Sequence, residues 1–283
     1  MIYTTLNQKI IKTVYKKRDN WSHKGNFGKV LVVGGSEEYT GSPAIVALSA
    51  LRAGADLTKI IAPRRAADTC AGFSPEIITE AINGVELNSS AFHIIKEESE
   101  KYNVMVLGNG IKTGYEQTIL VNKILKEISM KIVLDADAIK VADANQLAKN
   151  IVITPNSNEF KILFKEDPSK DLEKRIKQVY EKAREFNTTI ILKGHVDVIS
   201  NGENTFINKN NSVYMTKGGT GDSLAGITAA MMCQNNNLVE AAAAAAFING
   251  YTGRTVAKKE RESFSVMHLI DSIGETINKW RYQ

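Results

Sequence analysis

Short runs of β-branched and aliphatic residues recur along this chain, each followed by a longer stretch with helical spacing. That alternation restricts the fold more than any other feature. Expected strands cover 29–33, 59–61, 104–107, 131–134, 151–153, 189–192 and 196–200. Most are apolar at consecutive positions and stop at Gly, Asp or Pro. A strand that is apolar on both faces is covered on both faces, as the central strands of a parallel sheet are. The order of elements therefore predicts an α/β architecture, a mostly parallel central sheet with helices on both faces. The runs 196–200 and 204–207 flank Asn201-Gly202, a turn pair that predicts an antiparallel hairpin closing one edge. No linker and no internal repeat interrupts the chain, so residues 1–283 are expected to form one domain.

Composition narrows the function classes. Hydrophobic residues make up 43% and charged residues 24%, ordinary for a water-soluble globular chain. The longest apolar run, 241–248, is far shorter than the roughly 20 residues that cross a bilayer. Residues 1–20 have no apolar centre and no small-residue cleavage site, so no signal peptide is expected and the cytoplasm is the expected location. Cys70 and Cys233 are far apart and form no CxxC, which argues against a disulfide framework and a cysteine zinc site. The net charge of +5 favours anions in general. However, its Lys and Arg residues are interleaved with Glu, as in 165–182, and no aromatic-plus-basic repeat suggests nucleic acid.

Two strand-to-helix junctions carry glycines. After the run 29–33 come Gly34-Gly35-Ser36 and then Ser42-Pro43-Ala44. Ser42 is a good helix cap and Pro43 suits the first helical position, with Gly54 as the stop. This junction matches neither GxGxxG nor GxxxxGK[ST], and an ordinary tight turn explains it equally well. The second junction is Lys217-Gly218-Gly219-Thr220-Gly221-Asp222, ahead of a small-residue apolar helix over 223–234. Closely spaced glycines expose successive amides that can hold an anion, helped by the positive end of the helix. Asp222 then stands out: a carboxylate beside a phosphate-binding nest is costly unless it handles a proton or a metal. The plainer alternative is that Asp222 is a helix cap.

The GGTGD sequence followed by a helix resembles the anion hole and base of ribokinase-like kinases. A finer resemblance is to the NAD(P)H-hydrate dehydratases. It is carried, in order, by HKGNFGKVLVVGGSEEYTGSPA (23–44), LGNG (107–110), LDADA (134–138), TPNSNEF (154–160), ILKG (191–194) and MTKGGTGDSLAGI (215–227). The long first block is what separates this family from the sugar kinases. The chain departs from the family in two places. Asn156-Ser157-Asn158-Glu159 stands where the family often has His-Pro-Gly-Glu, and a Gly-Pro-Gly-type loop is reduced to Gly108-Asn109-Gly110. Too little chain precedes His23 for the epimerase domain often fused to this one, so a stand-alone dehydratase is expected.

The resemblance implies a ribokinase-like fold and repair of the S epimer of hydrated NADH or NADPH, with ATP or ADP as co-substrate and Mg²⁺. It implies Asp222 as general base, also contacting substrate. It places nucleotide contacts at Lys193, Gly194, His195, Val196 and Asp197, and at Gly219, Thr220 and Gly221. It places hydrate contacts at Ser42, Gly110 and Asn156. Glu159 falls at the acidic position that helps hold Mg²⁺ through water. On the residues alone, Lys193 is equally a solvated strand end, and Glu159 a first-turn acid favoured by the helix dipole. Of Asp135 and Asp137, which end a strand where ligands bind open α/β sheets, Asp137 is the expected supporting acid. His23 is given no chemistry. Expected partners are these small molecules, with neither nucleic acid nor membrane, and the resemblance implies a homo-oligomer such as a tetramer. A small-molecule kinase of the same fold, of the hydroxyethylthiazole or hydroxymethylpyrimidine type, is the competing enzyme reading. A nucleotide-binding regulatory module is the competing non-enzyme reading, and Asp222 argues against it.

Overall fold

The computed structural model describes residues 2–282; Met1 and Gln283 lie outside the described residues. Among the described residues the strands are β1 (Thr4–Thr5), β2 (Lys29–Val33), β3 (Leu57–Pro63), β4 (Ile77–Ile82), β5 (Val104–Leu107), β6 (Lys131–Leu134), β7 (Ile151–Ile153), β8 (Thr189–Leu192), β9 (Asp197–Ser200) and β10 (Thr205–Asn208). They join into one ten-stranded sheet in the order β1-β10-β9-β8-β7-β6-β5-β2-β3-β4. From β4 across to β8 every neighbouring pair is parallel. Antiparallel pairing enters only at β8–β9 and β9–β10.

Two details differ from the sequence expectation. The hairpin β9–β10 forms, but it does not close the sheet, because β1 adds to β10 in parallel. The edge strand β4 was also not expected. Its sequence IITEAI carries Thr79 and Glu80 and is only partly buried, so it lacks the continuous apolar run that marks the central strands.

Alternation along each strand sends its side chains to two separate cores. In β2, Val30 and Val32 belong to one cluster, and Leu31 and Val33 to the other. The first cluster is closed by helices Ser42–Arg52, Thr220–Gln234, Leu238–Glu260 and Val266–Arg281. The second is closed by helices Phe92–Ser99, Tyr115–Glu127, Ser157–Phe164 and Leu172–Glu185. The alanines of 241–246 are buried in the first core, where small side chains let their helix lie close to its neighbours. Closest of all is the pair Ser42–Arg52 and Thr220–Gln234: a Cβ on Gly226 would run into the backbone oxygen of Val46. That approach fixes the two helix N-termini side by side.

Both helices begin slightly earlier than their sequences suggest. Gly41 is the N-cap of the first, so Ser42 is its first residue and Pro43 its second, and the Ser42 hydroxyl makes no cap. Its expected stop holds: Gly54 has φ +101°, and the amides of Gly54 and Ala55 close onto the carbonyls of Leu51 and Ala50. Gly219 is the N-cap of the second, in the left-handed region at φ +92°, so Asp222 is the third residue of that helix, within its first turn. No helix among the described residues is long and apolar enough to cross a membrane. Cys70 and Cys233 are both free.

Candidate active site

Parallel strands bring their carboxyl ends to one edge of the sheet, and the polar residues of this chain gather there. Gly34 and Gly35 follow β2, Gly108 to Gly110 follow β5, Asp135 follows β6, Thr154 follows β7 and Lys193 follows β8. Gly108 is required at its position, since a Cβ there would collide with the Asp135 carbonyl and it adopts φ +128°. Helices Ser42–Arg52 and Thr220–Gln234 bring Ser42 and Asp222 to the same edge. The earlier part of the first block goes elsewhere. The amides of Gly25 and Phe27 are bound by Asp56 at the amino end of the sheet, away from this edge.

A chain of hydrogen bonds runs across the site. The Asn109 amide donates to Asp222 at 2.5 Å and to Asp135 at 2.8 Å. Thr154 donates its hydroxyl to Asp135 at 2.6 Å, and the Lys193 ammonium donates to the same carboxylate oxygen at 2.9 Å. Lys193 also lies 3.7 Å from Glu159. The Ser42 side chain lies close enough to Asp222 to pull its carboxyl down. Burial, followed by the charge of Asp135, pushes the Asp222 carboxyl up to about 6, against the opposing pull of Asn109, Lys193 and Ser42. Such a carboxyl is ionised at neutral pH and basic enough to accept a proton. The same lysine is held protonated by Asp135 and Glu159 in spite of its burial.

A cavity of about 590 Å³ opens beside this network. Lys193, Gly194, His195, Thr220, Gly221 and Asn156 are among the residues that border it. Gly221 faces Lys193 so closely that a Cβ would sit 3.2 Å from its ammonium nitrogen. Ser42, Gly110 and Asp222 do not border this cavity; Ser42 lies near Asp222, and Gly110 packs on Tyr39, whose Cβ lies 2.9 Å from where a Gly110 Cβ would point.

Several expected site residues also have structural roles. Val196 packs against the apolar core and does not border the cavity. Asp197 borders the cavity but spends its carboxylate holding the turn, accepting from the Gly194 amide and the Asn208 side chain, both at 3.0 Å. Gly219 turns toward Ile45 and Val266 and serves as the helix cap. Asn156 and Glu159 form a capping box: Asn156 accepts from the amides of Asn158 and Glu159, and Glu159 accepts from the Asn156 amide at 2.8 Å. The supporting acid is Asp135. Asp137 is paired with Lys140 at 2.7 Å, outside the network. The capping alternative for Asp222 fails, because Gly219 holds that position.

Three polar residues are central: Asn109 and Thr154, to which the sequence assigned no role, and Asp135, which it ranked behind Asp137. Each directly follows a fully apolar strand or lies within two residues of its end, which is the signal that marks them. No grouping of three His, Cys, Asp or Glu side chains among the described residues forms a metal cage.

Comparison with known proteins gives a consistent picture. The family model described as NAD(P)H-hydrate dehydratase matches residues 30–275. The ADP-dependent (S)-NAD(P)H-hydrate dehydratase of Nitrosopumilus maritimus is 37% identical over 277 residues, covering 97% of this chain and 96% of that protein. The bifunctional NAD(P)H-hydrate repair enzyme Nnr of Pyrobaculum aerophilum is 37% identical over 264 residues. That match covers 93% of this chain but 53% of the relative, so the chain spans about half the length of the bifunctional protein. In three dimensions the Bacillus subtilis ADP/ATP-dependent NAD(P)H-hydrate dehydratase, co-crystallised with ATP/Mg²⁺, superposes with a TM-score of 0.83 at 22% identity, covering 99% of each chain. The ribokinase-like α/β fold expected from the sequence is the fold observed.

Proposed function

Because the chain belongs to the NAD(P)H-hydrate dehydratase family, we propose that it is a hydro-lyase that repairs the S epimer of hydrated NADH or NADPH, consuming ADP or ATP. The observation that carries this reading is Asp222, a buried carboxyl raised to about 6 and bound by Asn109, directly after Gly221 of the cavity lining. In this reading the nucleotide occupies the cavity, with its phosphates over Gly218, Thr220 and Gly221. The reduced, hydrated ring lies against Ser42, Gly110 and Tyr39.

Asp222 takes the proton from the ring hydroxyl as its oxygen attacks the terminal phosphoryl group. The amides of 219–222 meet charge on the transferring phosphate, and Lys193 adds a fixed positive charge beside Gly221. The phosphorylated oxygen then leaves as inorganic phosphate, driven by the ring nitrogen lone pair, and loss of a ring proton restores the double bond. Mg²⁺, where it accompanies the nucleotide, would supply charge neutralisation on the phosphates, and Glu159 is the acid that would hold it through water. Asn156, whose oxygen is committed to capping, has only its amide nitrogen to offer the substrate.

The test supplies hydrated NADH with ADP and with ATP in separate samples and follows return of the nicotinamide absorbance. Recovery with either nucleotide supports the reading, and no recovery with both counts against it. A narrower test concerns the cradle. Gly221→Val introduces branches against the Lys193 ammonium and into the phosphate approach, so nucleotide affinity should fall at least about tenfold, or ~1.4 kcal/mol. Titration calorimetry measures it, and unchanged affinity would place the phosphates elsewhere.

A further inference from the structure

Asn109 is fully buried, yet it is neither a core residue nor a ligand-facing one. Its single NH₂ group reaches two carboxylates, Asp222 at 2.5 Å and Asp135 at 2.8 Å. Two acidic acceptors fix which end of the amide is nitrogen, since the opposite orientation would aim the carbonyl oxygen at both carboxylates. The amide oxygen has no hydrogen-bond partner within the protein. The donor contacts to the carboxylates are therefore what the side chain contributes. The backbone is pinned as well: the Asn109 carbonyl accepts from the Gly35 amide at 2.8 Å, and a Cβ on Gly34 would lie 2.5 Å from that same oxygen.

We propose that Asn109 is a positioning residue for the reaction, clamping the Asp222 carboxylate to the fixed Asp135 carboxylate and holding it ready to accept the substrate proton. The inference rests on the reading of Asp222 as base. Asp135 is immobile because Thr154 and Lys193 both bind it. Asn109 transmits that fixed position to Asp222. It also stands between two like charges that would otherwise force one carboxyl to keep its proton.

The groups that face Asp222 are few. Asp135 comes from the end of β6, Lys193 from the end of β8, Ser42 from the helix beside it and Asn109 from the loop after β5. From helix Leu238–Glu260 the neutral Asn249 reaches only the Thr220 carbonyl, and Glu159 faces Lys193. Among these, Asn109 is the neutral donor that binds both Asp222 and Asp135, so its removal breaks the clamp and leaves every charge in place.

The test is Asn109→Leu, close in volume and without a donor, assayed for hydrate dehydration across pH. Turnover should fall by up to about 10²-fold, the scale of a misaligned reacting group. The acid limb of kcat/KM should move up by about one to two pH units, the worth of a hydrogen bond to a charged group. KM for the nucleotide should stay within about twofold, since uniform binding is untouched. If Asn109→Leu does not fold, Asn109→Ala must show the same upward movement. A folded variant with lower turnover but an unmoved acid limb overturns the proposal, as does unchanged turnover. Asp222→Asn, assayed alongside, separates the two ideas. An active Asp222→Asn defeats the base reading itself. An inactive Asp222→Asn beside a normal Asn109 variant defeats only the clamp.

Discussion

Replacing Asp222 with Asn should lower turnover by about 10²–10⁴-fold, the range for loss of a general base, in a protein that still folds and binds nucleotide. Asn has the shape of Asp, and its carbonyl oxygen can still accept from the Asn109 amide. Capping plays no part in the outcome, because Gly219 caps the helix. Stability should not fall at neutral pH. The Asp222 carboxyl rises from 3.8 to about 6 in the fold. The folded state thus holds this proton more tightly than the unfolded chain. The stabilisation from that proton is complete below pH 3.8 and is lost as pH rises through about 6. Ionised Asp222 is then a cost to the fold at pH 7, and the neutral Asn removes it. The thermal midpoint of Asp222→Asn at pH 7 should equal or exceed that of the wild type, while its rate collapses. Thermal melting and dehydration rate on one sample check both halves.

The substitution Lys193→Met should have the second largest effect, and on stability as well as on binding. The lysine side chain is 20% exposed and lies between Asp135 and Glu159, which are 2% and 7% exposed. Methionine fills the stem but leaves two buried carboxylates without their cation. Breaking a buried pair from one side typically costs about 3–5 kcal/mol. Denaturant titration should show a loss of that order at pH 7, shrinking as the pH is lowered and Glu159, pushed up by burial, takes up a proton. Nucleotide affinity should also drop, since the cavity loses its innermost positive charge. A Lys193→Met variant with wild-type stability and nucleotide affinity would contradict both the network and the phosphate position.

The central strands were legible because a parallel sheet covered on both faces needs continuous apolar runs, and β2, β5, β6, β7 and β8 have them. The edges were not. At β4 one flank is open, so Thr79 and Glu80 dilute the pattern. At β1 only two residues, Thr4 and Thr5, pair with the sheet. In the site, glycine-rich junctions announced Ser42 and the 217–222 segment, because close backbone approach leaves a mark in composition. For Val196, Asp197 and Asn156 the sequence left the direction of the side chain open, for one physical reason. A position in a loop next to a ligand says nothing about which way the side chain turns. Val196 turns to the core, Asp197 to its own turn and Asn156 to its own helix. Asn109 and Asp135 lie 26 residues apart, and their pairing depends on β5 and β6 being neighbours. That long-range fact is not contained in either short motif.

Phosphate release measured against nicotinamide recovery, with hydrated NADH and each nucleotide in turn, tests the central claim most directly. The account predicts one inorganic phosphate for each NADH restored, no lasting phosphorylated nicotinamide product, and activity that falls as pH drops below about 6, where Asp222 takes up its proton. A stable phosphorylated product with no recovery of absorbance would instead make this site a small-molecule kinase.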